Sequence, residues 1–458
     1  MNRENPPRLL DPMFTTEKMR EIFSDRGRLD GMLRFEAALA RAEARVGVIS
    51  KFAPDAIESL CRAELFDIEK LGRAAALAGN LAIPLVQELT ARVAQHSREA
   101  ADFVHYGATS QDAMDTGLVL QLRDALDAIE ADLTALAGIL AELASAQKKT
   151  VLAGRTWMQQ AIPVTFGLKA GGWLSAVERH RARMGELRPR ILVLQFGGAA
   201  GTLAALENNG LKIAEALGEE LGLSLPDVPW HAHRDRVAEV ATTLGLLVGT
   251  LGKIARDITL LMQTEIGEAF EPAAEGRGGS STLPQKRNPV GCAAVLSAAV
   301  RVPALVSVML AAMVQENERG MGNWHAEWET LPEICALASG ALMHITQVIK
   351  GLELDANRMT GNLEVTRGQV LAEAISMALA KKTGRPQAKR LVEQACRKAS
   401  AEGRHLREIL AETPEVREHL SARDLDGLFN PENYLGVAEE LVDRALQVHS
   451  KNSKPDAS

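Results

Sequence analysis

Apolar residues recur along two stretches of the chain in alternating steps of four and three. Between Ser110 and Lys149 they fall at Leu122, Leu126, Ile129, Leu133, Leu136, Leu140 and Leu143. Between Asp235 and Gln263 they fall at Val240, Leu244, Leu247, Leu251, Ile254, Ile258 and Leu261. A 3.5-residue period belongs to long helices packed side by side at small crossing angles. Forty helical residues span roughly 60 Å, more than a small domain needs. The pattern predicts an elongated bundle. Seams of that length predict association between subunits, a monomeric bundle being the simpler alternative.

Further helices are predicted over Phe166–Gly185, Ala293–Val314 with a bend at Pro303, and Pro332–Gly351. Shorter ones are expected at Thr16–Phe23, Arg28–Val46 and Pro54–Cys61 and from Asp67 onward, and again in the last hundred residues, broken near Gly384, Gly403 and Pro414. The tail KNSKPDAS is polar and reads as frayed. No internal repeat of fixed period is present. The expected fold class is all-α, in three helical domains: residues 1–109, a central long-helix bundle at 110–352, and 353–458.

Composition narrows the field. At 458 residues, about three domains fit. Hydrophobic residues at 46% and charged residues at 24% are the balance of a folded globular protein. A formal net charge of −7 argues against nucleic acid or an anionic membrane as the main partner. The four cysteines (Cys61, Cys292, Cys335 and Cys396) are far apart, which excludes a disulfide scaffold and supports no zinc site. The N-terminus lacks the apolar core of a signal peptide, and no run of about 18 uncharged apolar residues occurs. A cytoplasmic location is the expectation.

Three polar, glycine-bearing segments interrupt the helical pattern. His105-Tyr106-Gly107-Ala108-Thr109-Ser110-Gln111-Asp112 precedes the first long helix. Thr109 or Ser110 suits an N-cap, with Asp112 in the first turn. The free N–H groups and hydroxyls there would also bind a carboxylate, with His105 able to move a proton. Gly154–Pro163 (GRTWMQQAIP) lies between helical stretches. It reads either as an interhelical loop or as a carboxylate site using Arg155 with Gln159 or Gln160. Gly276–Pro289 (GRGGSSTLPQKRNP) is a non-helical loop between two long helices. It is not a phosphate-binding P-loop, because GxxxxGK[ST] is absent. A flexible linker explains its glycines but not the Lys286-Arg287-Asn288 that follow. A lid explains both, closing over a small polyanion and bringing a serine hydroxyl against it. A serine acts as a base only where cations and N–H donors stabilise its alkoxide, and Lys286 and the glycine N–H groups are the candidates.

Ser280–Pro289 (SSTLPQKRNP) resembles the GSSxMPxKxNP signature of the fumarase/aspartase superfamily, with Leu283 in place of the usual Met. His105–Thr116 and Gly154–Pro163 resemble that family's first and second conserved regions. Gln195–Thr202 (QFGGAAGT) and Arg234-Asp235-Arg236 resemble stretches shared with adenylosuccinate lyases. Within the superfamily, Ile22–Leu29, Gly154–Trp157 and Trp324–Pro332 are most similar to the bacterial carboxymuconate cycloisomerases. Trp157 stands where fumarases, argininosuccinate lyases and adenylosuccinate lyases have His, and Trp328 where adenylosuccinate lyases have Arg. Gln160 and Gln285 replace histidines of the cycloisomerase loops.

The resemblance implies a proton moved at the carbon beside a carboxylate, through an aci-carboxylate held by preorganised donors. In the cycloisomerases, one carboxylate of 3-carboxymuconate attacks the molecule's own double bond, closing a lactone in protocatechuate breakdown. The resemblance assigns Ser280 as proton carrier, with Lys286, Ser281 and Asn288 binding the carboxylates and the aci-carboxylate. It places Thr109, Ser110, Arg155 and Gln159 as further substrate ligands and His105 as a second proton carrier. It implies a small di- or tricarboxylate substrate, no metal, no cofactor, and a homotetramer whose sites combine three subunits. Two alternatives stay open: a C–N lyase acting on N-substituted aspartates, favoured by Gln160 and Gln285, and a non-catalytic helical protein.

Overall fold

Five long helices carry the structure, a computed structural model describing residues 8–452. After a shorter helix α1 (Asp25–Val46) come α2 (Ser110–Ala146), α3 (Phe166–Ile191), α4 (Asp235–Leu261), α5 (Val290–Ala312) and α6 (Asn323–Lys350). The fold is all-α, as the periodicity indicates. Helix α1 begins at Ser24, whose hydroxyl accepts the Gly27 N–H, and stops at Gly47, which is left-handed. In the C-terminal region Gly384 separates two helices, Gly403 ends the second in a left-handed conformation, and Pro414 opens a short helix after a third at Leu406–Glu412. Lys451 and Asn452 are the last residues of helix Ala438–Asn452 rather than frayed, and the rest of the tail lies outside the described residues.

The chain forms two compact units, each built from three separate stretches. Unit 1 comprises 1–133, 180–252 and 294–344; unit 2 comprises 134–179, 253–293 and 345–458. In unit 1, α1 and α2 approach at Gly31 and Gly117; a Cβ on Gly31 would lie 2.8 Å from the Gly117 carbonyl oxygen. Arg234 is fully buried in this unit. It grips Asp115 (2.7 and 3.1 Å) on one side and Glu327 (2.6 to 3.1 Å) on the other. In unit 2, Ile375, Leu379, Val392, Leu406, Ile409 and Leu410 form a separate apolar core.

Three expectations change. The seam residues of α2 from Leu122 to Leu140, and those of α4, are already buried within one chain, so they do not themselves call for a partner. The unsatisfied apolar surface lies on α5 instead. That helix and α4 are long and apolar enough to cross a membrane, but only 28% of α5's most apolar 18-residue window is buried, against 61% for α4. Second, Pro332 lies inside α6 instead of opening it. A proline at this position frees the carbonyl of Trp328, and the Arg28 guanidinium donates to that oxygen at 2.9 Å. Third, Gly154–Pro163 is a β-hairpin and not an interhelical loop. Strands β1 (Val151–Thr156) and β2 (Gln159–Thr165) pair antiparallel from Val151↔Thr165 to Thr156↔Gln159, with an irregularity between Ala153 and Arg155. The turn residues Trp157 and Met158 both have positive φ, 51° and 65°, as a two-residue hairpin turn of the right twist requires. Neither is Gly or Asn, so the usual turn signal is absent. A second short pair joins β3 (Ala269–Phe270) to β4 (Glu353–Leu354).

Candidate active site

In unit 1, the first turn of α2 is organised by one carboxylate. Asp112 is fully buried and accepts the backbone N–H groups of Thr109 (3.0 Å), Gly197 (3.0 Å) and Gly198 (2.9 Å). It also meets Gln195 Nε2 (3.3 Å) and His231 Nε2 (2.7 Å). Asp112 therefore fastens the QFGGAAGT segment to the helix start, besides sitting favourably at the positive end of the helix dipole. Gly198, at φ 67°, would place a Cβ 3.0 Å from the Gly107 carbonyl oxygen. That close approach explains a glycine there.

Thr109 and Ser110 stand at this helix N-terminus, and Thr109 Oγ1 accepts from Arg319 Nη1 at 3.2 Å. Arg319 also donates to the carbonyls of Ala199 (2.9 Å) and Gly198 (3.4 Å), while its buried Nε has no partner among the described residues. Arg319 brings a cation to the expected carboxylate position, and sequence reasoning missed it. The available signal was an arginine in the polar, glycine-bearing run Gln315–Asn323 between α5 and α6. His105 lies nearby in sequence, its Nδ1 2.6 Å from Glu36 Oε1. Burial alone would depress the His105 pKa. Attraction to Glu36, the hydrogen bond between them and the charge of Asp112 outweigh burial and raise it above 6.5.

Unit 2 carries the glycine-rich loop. Its base is clamped. Glu271 accepts the N–H groups of Gly291 (3.1 Å) and Cys292 (2.7 Å) at the start of α5, and Arg277 donates to the same carboxylate at 3.1 Å. Arg287 donates to the Glu271 carbonyl (2.6 Å) and forks onto Glu353 (3.0 and 2.9 Å). Across the loop's neck the Asn288 N–H donates to the Gly278 carbonyl at 2.8 Å, and Asn288 Nδ2 donates to the Gly279 carbonyl at 3.3 Å. Between these anchors Ser281 and Lys286 are exposed. Ser280 Oγ accepts only the N–H groups of Thr282 (3.3 Å) and Leu283 (3.0 Å) among the described residues. No described acceptor holds the Lys286 ammonium. The loop thus offers a hydroxyl, a cation and an amide on a glycine-rich span with fixed ends.

Arg155 does not stand free for a substrate. Its guanidinium makes a bidentate pair with the buried Glu268 (2.8 and 2.6 Å), and Asn362 Nδ2 donates to the same carboxylate at 2.7 Å. Gln160 Nε2 donates to the Asn362 carbonyl at 2.8 Å, so it ties the hairpin to the helix Ala356–Leu363. Gln159 is exposed next to the turn, and Trp157 at the tip is 98% exposed. The expected ligands therefore fall into two groups: His105, Thr109 and Ser110 in unit 1, and Ser280, Ser281, Lys286, Asn288, Arg155 and Gln159 in unit 2. All four cysteines are free thiols, and the described residues contain no His/Cys/Asp/Glu cluster of metal-ligand type.

Comparison with known proteins adds an independent line. A family model described as "Lyase" matches residues 13–304, and one described as "Adenylosuccinate lyase C-terminus" matches residues 368–445. The chain is similar to a 3-carboxy-cis,cis-muconate cycloisomerase of Pseudomonas aeruginosa, 58% identical over 96% of both proteins. It is 41% identical to a nitrosuccinate lyase of Streptomyces davaonensis, over 96% of this chain and 94% of that protein. The crystal structure of a 3-carboxy-cis,cis-muconate lactonizing enzyme from Pseudomonas putida superposes with a TM-score of 0.94 at 56% identity, covering 98% of this chain and all of the other. A lyase model spanning most of the chain, relatives of this similarity along nearly its whole length, and the Ser280–Pro289 loop on an all-α frame agree: the chain belongs to the fumarase/aspartase superfamily.

Proposed function

We propose that this protein is a 3-carboxy-cis,cis-muconate cycloisomerase. The observation that carries the reading is the 58% identity, over 96% of both chains, to a protein of that activity. The reaction closes the tricarboxylate diene to 4-carboxymuconolactone, a step of protocatechuate degradation. One carboxylate oxygen attacks the molecule's own double bond. A C–O bond forms, the π electrons move onto the carbon beside a second carboxylate, and that carbon takes a proton. Intramolecular attack needs no activated water, so the protein's task is orientation and stabilisation of the aci-carboxylate. Ser280 delivers the proton in lactonisation and removes it in reverse. Lys286, Ser281 and Asn288 hold the carboxylates and the aci-carboxylate. Thr109 and Ser110, joined by Arg319, bind a carboxylate at the start of α2, with His105 beside them. Arg155 acts one step removed, by holding Glu268.

The enzyme works as a cytoplasmic homotetramer with sites shared between subunits, and its functional segments are 1–109, 110–352 and 353–458. Exposed apolar residues on α5, among them Val300 at 78%, and the bare Trp157 side chain support burial by other subunits. Trp157 cannot titrate near neutral pH, which disfavours chemistry that needs a general acid on that hairpin. Gln160 is engaged in fixing the hairpin, so its presence does not point to C–N lyase chemistry.

Incubation with 3-carboxy-cis,cis-muconate, and separately with fumarate plus amines, tests the reading by the ultraviolet absorbance of the unsaturated acids. Loss of the muconate signal alone is expected; loss of the fumarate signal alone overturns it. Ser280→Ala is expected to abolish turnover with helicity and assembly intact. Substantial residual activity removes Ser280 from the proton-carrier role.

A further inference from the structure

His105 has a positive φ of 58°, uncommon for a residue with a side chain, and it is followed by Gly107 at φ 69°. Such a conformation is strained and persists where the surroundings over-determine it. What holds the ring is Glu36, on the buried face of α1 and 69 residues away in sequence. The Glu36 side chain is 1% exposed and that of His105 14%. Glu36 Oε1 takes Nδ1, leaving Glu36 Oε2 buried without a partner and His105 Nε2 without a partner among the described residues. A buried carboxylate whose one bond goes to an imidazole edge leaves that ring's other edge as the outward donor.

We propose that Glu36 is a positioning residue for the reaction: it fixes His105 with the proton on Nδ1 and holds the ring as an imidazolium, so that Nε2–H is presented to a substrate carboxylate at the start of α2. The proposal deepens the cycloisomerase reading and rests on it for the identity of the substrate. The surroundings suit the role. Two carboxylates act on the ring, Glu36 from α1 and Asp112 from α2. Glu43, two turns along α1 from Glu36, is fully buried with neither oxygen partnered among the described residues, and burial pushes it up to about 9. It is therefore neutral near pH 7.5 and does not compete for the histidine's charge. Cys61, which senses Glu36, Glu58 and Arg41, is likewise held as a neutral thiol, chiefly by burial. Glu36 is the carboxylate in hydrogen-bond contact with the ring, at 2.6 Å.

Two readouts test this on the full-length protein. Deuterium exchange at the imidazole C2 of His105, followed by mass spectrometry against pH, reads the ring's protonation midpoint whatever the activity. The pH profile of kcat/KM for 3-carboxy-cis,cis-muconate reads its use. The wild-type midpoint is expected above 6.5, and Glu36→Gln is expected to lower it by about one to three units, the span an adjacent opposite charge produces. The alkaline limb of kcat/KM should move by the same amount, while Glu43→Gln leaves both in place. A wild-type midpoint at or below 6.5 overturns the proposal even if Glu36→Gln fails to fold. So does a midpoint in Glu36→Gln equal to the wild type's, or a shifted midpoint with an unmoved kcat/KM limb. If the midpoint falls in Glu36→Gln but the protein does not consume the muconate, the hold on His105 stands and the cycloisomerase reading fails.

Discussion

Glu43 offers a sharp test of how burial shapes this protein. Its side chain is fully buried in α1, and neither oxygen has a hydrogen-bond partner among the described residues. Burial first, and then the charge of Glu36, raise its pKa from 4.5 to about 9. A carboxyl raised in the folded state binds its proton more tightly there than in the unfolded chain. Its contribution to stability is complete below pH 4.5 and is lost as pH rises through about 9. Over that window the slope is about 1.4 kcal/mol per pH unit, so at pH 7.5 the native state has lost about 4 kcal/mol through this one group. Glu43→Gln removes the titration. The amide is also buried without partners, at a cost of about 1–3 kcal/mol, so the net gain at pH 7.5 is smaller than the titration alone suggests. The slope is the cleaner readout. Urea unfolding of both proteins at one fixed concentration, from pH 6 to pH 8, should show the wild type losing about 3 kcal/mol relative to the variant. His105 and every other titrating group shared by the two proteins cancel in that difference. Parallel pH dependences would mean that Glu43 is solvated or paired in solution, and the reasoning from burial would be wrong.

The other consequences are quicker to state. Arg234→Leu leaves Asp115 and Glu327 buried without their cation, and a loss of about 3–5 kcal/mol in denaturant unfolding is expected; a loss below 1 kcal/mol would show that the pair is hydrated. Gly278→Ala puts a Cβ 2.5 Å from the Asn288 carbonyl oxygen at φ 66°, so the neck of the Ser280 loop must distort. Turnover should fall at least about tenfold with unchanged far-ultraviolet circular dichroism, a modest displacement at the reacting groups being enough for that. Wild-type turnover in this variant would show that the neck does not set the loop's geometry.

The two seams of α2 and α4 were legible in the sequence because helical periodicity is a local property, repeated every turn. The Ser280–Pro289 loop was legible because its chemistry is contiguous: glycines, hydroxyls, a lysine and an amide within a few residues. What the sequence could not tell is which charges find one another. Arg155 reads as a substrate fork until the fold supplies Glu268, and Asp112 reads as a helix cap until Gly197, Gly198 and His231 converge on it. Pro332 reads as a helix start until Arg28 satisfies the carbonyl it frees. Partnership of this kind joins positions 85 to 300 residues apart, and no local propensity encodes it. The same holds for Glu36 and Glu43: along α1 they read as ordinary helix glutamates, and only packing removes the water that would have made them so. Local pattern thus determined the helices and the reactive loop. The tertiary structure decided which side chains remain unengaged, because a side chain's protonation and its freedom to bind depend on what desolvates and neutralises it.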